Sequence, residues 1–250
     1  MAGHSKWSNI KRKKAKEDAG RAKAFTKMAR KITIAAREGG GDPEANFRLR
    51  MAIEEARMVN MPNDSIQRAI KRGTGELDSA VFEEFVYEGY GPGGVALLID
   101  VATDNRNRAA SEIRYIFSRH GGNLGESGCV AWMFERKAVI LVPADGNIDE
   151  DELMMSALEA GAEDMEASDG FFEIIGPPEN LRAMQEALVQ EGIPVESAEL
   201  TMRPKNTMTV DESVARRVIS LIEDLEDNDD VQNVYTNLDL TDELLAALEA

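Results

Sequence analysis

The feature that most narrows what this chain can fold into is a change of hydrophobic period at Val81. Upstream, apolar residues recur at the three-and-four spacing of helices that bury one face. Ala22, Phe25, Met28, Ala29, Ile32 and Ala36 make one such face, which Gly39-Gly40-Gly41 terminates. Asp42-Pro43 then offers a cap and a first-turn proline to a second helix with Leu49, Ala52, Ile53 and Ala56 inward. A third helix starts near Asn63-Asp64, buries Ile66, Ala69 and Ile70, and stops at Gly73 and Gly75. Downstream the pattern predicts strands at 94–103 and 129–134 around a helix at 107–120. A full β-α-β-β-α-β series follows: 138–142, 151–160, 163–167, a turn at Asp169-Gly170, 171–175, 178–191 and 195–202. A strand at 208–210, a helix at 212–226 and a strand at 231–235 close the chain.

This order predicts an α+β protein: an N-terminal helical domain followed by two ferredoxin-like α+β domains, one inserted in the other. The expected boundaries are 1–80 for the basic helical domain, 81–135 with 204–250 for the discontinuous domain, and 136–203 for the insert. Residues 82–87 add an edge strand or arm.

Charge divides the chain as sharply. The first 37 residues carry Lys6, Lys11, Arg12, Lys13, Lys14, Lys16, Arg21, Lys23, Lys27, Arg30, Lys31 and Arg37 against Glu17 and Asp18 only, while the whole chain sums to −17. Cations gathered at one end point to a polyanionic partner, because each Lys or Arg that neutralises a phosphate releases a condensed counterion. Nucleic acid is the expected partner, and these twelve cations are the expected contacts. Lys23, Lys27, Arg30 and Arg37 line the helix face opposite Phe25 and Ile32. Trp7 stands among Lys6, Lys11 and Arg12, where an indole either stacks on an unpaired base or pins the segment to the body.

Other functional classes find little support. No apolar run reaches the length of a membrane span and no apolar signal region opens the chain, which predicts a cytoplasmic protein without membrane contact. Cys129 is the sole cysteine, excluding an internal disulfide or a cysteine zinc cluster, and in the strand expected there it reads as a small buried hydrophobe. Two histidines, His4 and His120, and no distinctive carboxylate pair argue against an enzyme. The expectation is a protein with no catalytic residues, metal, cofactor or small-molecule substrate, its oligomeric state left open.

Two motifs resist this simple division. Gly91-Pro92-Gly93-Gly94 enters a strand and Gly121-Gly122 leaves a helix, so neither aims a helix N-terminus at phosphate, and both read as tight connections. Asp104 or Asn105 caps the helix that follows, but Arg106 and Arg108 place cations where the helix dipole disfavours them. They read as a second phosphate contact or as a salt link to the acidic insert. The acidic runs 149–152 and 223–230 read as solvated surface that could orient docking by repelling nucleic acid.

Residues 1–7 (MAGHSKW), 39–43 (GGGDP), 48–50 (RLR), 87–94 (YEGYGPGG), 104–108 (DNRNR), 121–125 (GGNLG), 158–164 (LEAGAED) and 229–235 (DDVQNVY) together resemble the YebC family across nearly the whole chain. The resemblance implies a helical N-terminal domain and two α+β domains, one discontinuous. It also implies DNA-binding transcriptional regulation or, as in other members, translation activation at the ribosome, including a mitochondrial activator of cytochrome c oxidase synthesis and bacterial factors for proline-rich messages. A protein-binding module without nucleic acid is the third reading.

Overall fold

The computed structural model describes residues 18–78, 80–144, 148–168, 170–241 and 244; the cations and Trp7 of the first seventeen residues, and Asp169 of the expected turn, lie outside them. The chain divides into two compact units. Their described parts are residues 18–130 with 211–234, and 131–210 with 235–241 and 244.

The first unit begins with three helices, α1 (Asp18–Gly39), α2 (Phe47–Met58) and α3 (Asn63–Gly73). Ile32, Ala35 and Ala36 of α1, Leu49, Ala52, Ile53 and Ala56 of α2, and Ile66, Ala69 and Ile70 of α3 form their common core, with Phe25 and Met28 packed against it. The small residues let the helices approach closely. A Cβ added at Gly73 would meet the Thr33 carbonyl oxygen and lie 2.7 Å from the Ala36 Cβ, so Gly73→Ala must push α3 off α1. Urea titration should show this variant destabilised by about 1–3 kcal/mol, the usual cost of overpacking a filled contact.

The cap of α2 differs from expectation. Asn46, not Asp42, is the N-cap: its buried side chain accepts from the Leu49 N–H at 3.0 Å while its Nδ2 donates to the Ala35 and Gly40 carbonyls, each at 2.8 Å. Asp42 instead accepts the Asn46 N–H through its carbonyl, so Pro43 lies in the turn before the helix.

Four strands follow in the order β3-β1-β2-β8, with β1 (Glu83–Tyr90), β2 (Ala96–Thr103), β3 (Asn123–Leu124) and β8 (Val231–Thr236). β1 runs antiparallel to β2, Glu83 opposite Thr103 and Tyr90 opposite Ala96. Helix α4 (Arg106–Arg119) buries Ala109, Ile113 and Phe117, and α7 (Glu212–Glu226) buries Ala215, Val218, Leu221, Ile222 and Leu225. The arrangement is ferredoxin-like, yet two expected strands are replaced. No returning strand forms at 129–133; Ala131–Met133 is a single 3₁₀ turn. Residues 208–210 contribute only an isolated bridge from Met208 to Leu238. The strand at 83–90, expected as an edge or arm, takes the inner place between β3 and β2.

Glu88 explains the first replacement. Its buried carboxylate accepts the backbone N–H groups of Gly128 at 2.6 Å and Val130 at 2.8 Å, and Gly128 adopts a φ of 90°. Donors that a sheet ladder would use are thereby fixed to a side chain. Cys129 consequently sits in a half-buried loop rather than a strand, its thiol pushed up from its ordinary value by burial and by the neighbouring Glu88 charge.

The other unit contains β4 (Phe134–Pro143), α5 (Glu150–Glu159), β5 (Asp164–Ser168), β6 (Phe171–Gly176), α6 (Leu181–Gln190) and β7 (Ser197–Pro204). Its sheet order is β5-β6-β4-β7, antiparallel throughout, as the β-α-β-β-α-β pattern predicts. Leu153 and Ala157 of α5 and Leu181, Met184 and Leu188 of α6 fill its core.

Candidate nucleic-acid interface

α1 should expose its basic face if that face alone met phosphate. Instead all five residues from Ile32 to Ala36 are buried, so the helix is enclosed around its whole circumference in this stretch. The cations on its other face point into the first unit. Lys23 pairs with Asp227 at 3.1 Å, and the Lys27 ammonium donates to the Glu226 carbonyl oxygen at the C-terminal end of α7, where the helix dipole favours positive charge. Lys31 pairs with Glu55, and Arg37 donates to the Phe82 carbonyl oxygen. Arg21 lies on α1 as expected, within its first turn.

Arg30 reaches furthest. Its Nη1 donates to Asp230 Oδ1 and to the Asp229 carbonyl, both at 2.6 Å, and to the Ala102 carbonyl at 3.1 Å, with the guanidinium 5.0 Å over the Phe82 ring. Asp230 Oδ2 accepts from Arg108 Nη2 and from the Thr103 hydroxyl, each at 2.9 Å. Two arginines from α1 and α4 and a hydroxyl from β2 thus converge on one carboxylate whose side chain is 4% exposed. Burial pushes that carboxyl up, but the hydrogen bonds from Arg108, Thr103 and Arg30, with the charge of Arg30, more than offset it and hold it below the usual carboxylate range.

Asp230 therefore corrects the reading of 223–230 as solvated surface: only Asp227 and Asp229 of that run are exposed. It also supplies the partner that Arg108 lacked. Arg108 links to Asp230 and to Asp104 at 2.8 Å, both outside the insert, instead of to an acid within it. Arg106 stacks over Phe85 at 4.5 Å, and its carbonyl accepts from the Tyr87 hydroxyl at 3.4 Å. A cation at that helix start is thus held by an aromatic face.

The exposed cations of the helical head that sequence reasoning did not single out are Arg48 and Arg57 on α2 and Arg68, Lys71 and Arg72 on α3, of which Arg48 is paired with Glu38 and Glu84. Their spacing on the polar side of an amphipathic helix is the signal that could have found them. Among the described residues, no helix is long and apolar enough to cross a membrane, and no cluster of His, Cys, Asp and Glu could hold a metal.

Comparison with known proteins covers most of the chain. Residues 5–76 match the TACO1/YebC protein N-terminal domain, and residues 82–238 match the TACO1/YebC second and third domain. The chain belongs to the TACO1/YebC family. Among its relatives are proteins named probable transcriptional regulatory protein from Moorella thermoacetica, 57% identical over the whole of both chains, and from Syntrophomonas wolfei, 55% identical over 99% of this chain and 100% of that one. A crystal structure of a conserved hypothetical protein from Aquifex aeolicus, 49% identical, superimposes with a TM-score of 0.82 over 91% of this chain and 94% of that one. Family membership and this superposition agree with the helical N-terminal domain and paired α+β architecture.

Proposed function

We propose that this TACO1/YebC-family protein binds nucleic acid through its leading basic segment and regulates gene expression, acting on DNA as a transcriptional regulator rather than as an enzyme. The observation that carries the reading is the density of positive charge at the head of the sequence. Lys23, Lys27, Arg30, Lys31 and Arg108 are engaged in ion pairs or carbonyl contacts that hold the fold. Residues 1–16 carry Lys6, Lys11, Arg12, Lys13, Lys14 and Lys16 with no acid among them, a density suited to a phosphate backbone. The names of the relatives support regulation of transcription. We also propose the three-part division at 1–80, 81–135 with 204–250, and 136–203, in which the basic part meets the partner.

Titrating the intact protein against duplex DNA at several salt concentrations tests this reading. Six phosphate contacts give a slope of about −5 in log affinity against log salt. A preferred duplex sequence that survives competitor DNA supports the regulator, since phosphate contacts alone discriminate little. Salt-sensitive sedimentation with ribosomes, in place of duplex binding, would redirect the same segment to ribosomal RNA. Binding of protein partners alone, undiminished by neutralising the basic residues, would overturn the proposal.

A further inference from the structure

An open groove of about 520 Å³ runs between α1 and α3 in the helical head. Phe25 and Arg30 line it from α1, Met61 from the turn before α3, Arg68 and Arg72 from α3 itself, and Phe82 from the segment entering β1. Its volume falls in the range of sites that enclose one small ligand. Both phenylalanines are only half-buried, so each leaves ring surface toward the groove. Arg68 and Arg72 stand one turn apart on the exposed side of α3, and Arg68 uses its Nε on the Asp64 carbonyl at 3.1 Å. Arg30 is fixed over the Phe82 ring by Asp230, which sets a positive charge beside an aromatic face without further ordering. Asp78 is the sole acid among the lining residues, beside Arg30, Arg68 and Arg72.

Aromatic faces beside paired guanidinium groups, in a space sized for a small ligand, match the recognition of an unstacked base with its phosphate. The geometry points to this groove as a seat for one unpaired nucleotide of a single strand, its base against Phe25 or Phe82 and its phosphate on Arg68 and Arg72. The inference rests on the nucleic-acid reading above and goes beyond it, because the leading basic segment by itself favours neither single strands nor duplex.

Fluorescence anisotropy of the intact chain with labelled oligo-deoxythymidine, oligo-uridine and a duplex of the same label tests the seat, the first two arms separating DNA from RNA. Arg68→Ala with Arg72→Ala should weaken single-strand binding by about 10-fold and reduce the salt slope by about 1.4. Phe25→Leu should weaken it by about 5- to 10-fold with the salt slope unchanged, since stacking is lost and no charge. Duplex affinity should stay within about twofold in both variants, because a duplex offers no unstacked base. Thermal melting confirms folding, and the arginine pair, exposed on α3, keeps the test valid if Phe25→Leu unfolds. Variants that bind single strands as the parent does, with duplex binding intact, would overturn the groove and leave the broader reading standing. Failure of the parent to bind any of the three probes would overturn both.

Discussion

Asp230→Ala is expected to lower the unfolding free energy of the first unit by about 3–5 kcal/mol, the usual cost of stranding buried charge by removing its partner. The carboxylate accepts from Arg30, Arg108 and Thr103, and the Arg30 side chain is only 15% exposed, so water cannot readily replace what is lost. Asp230→Asn keeps the shape and one acceptor oxygen and should cost less than the alanine variant. Urea unfolding followed by circular dichroism measures both. The same site predicts an acid limb to stability. The folded carboxyl lies below its ordinary value, so its contribution is complete above the unfolded pKa of about 3.9 and is lost as pH falls through that value toward the folded one. Within this cluster the group whose protonation changes over this range is the Asp230 carboxyl. A parent protein and an Asp230→Asn variant with identical acid limbs would show that the carboxylate is not the anchor described.

The second large effect falls on binding. Replacing Lys11, Arg12, Lys13, Lys14 and Lys16 together with Gln should reduce affinity for nucleic acid by about 10³-fold near physiological salt and flatten the salt slope by about 4–5 units. Melting temperature measured alongside shows that any loss of affinity is read on folded protein. The contrast variant is Lys23→Gln with Lys27→Gln. These two hold α1 to the end of α7, and their loss should lower stability while leaving the salt slope nearly intact. If both sets change the slope equally, the division of the basic residues into structural and binding groups fails.

Much of the fold could be read from the chain because its elements alternate period cleanly. The helix at 212–226 and the β-α-β-β-α-β series of the insert appear where their apolar spacing places them. The failures share a cause: a distant side chain decides the local structure. Residues 129–134 are apolar enough for a strand, but the Glu88 carboxylate, forty residues earlier in sequence, takes the donors of Gly128. Asp230 sits among acids that look alike in sequence, and nothing local marks it as the buried one. Its partner Arg30 is 200 residues away. The site was legible as charge and illegible as geometry: Lys23, Lys27 and Arg30 were identified as cations of a functional helix, but their carboxylate and carbonyl partners lie beyond the reach of periodicity. The apolar face of the third helix was legible from Ile66, Ala69 and Ile70, while the groove beside Arg68 and Arg72 needs three segments of chain to exist.

The 200-residue separation between Arg30 and Asp230 also sets an order of events during translation. At about 5–20 residues per second, the helical head emerges roughly 10–40 s before its anchoring carboxylate is made. Residues 134–204, whose sheet partners are all encoded within that span, are complete first. A nascent chain halted before codon 230 should therefore display a folded insert and a head still lacking its clasp.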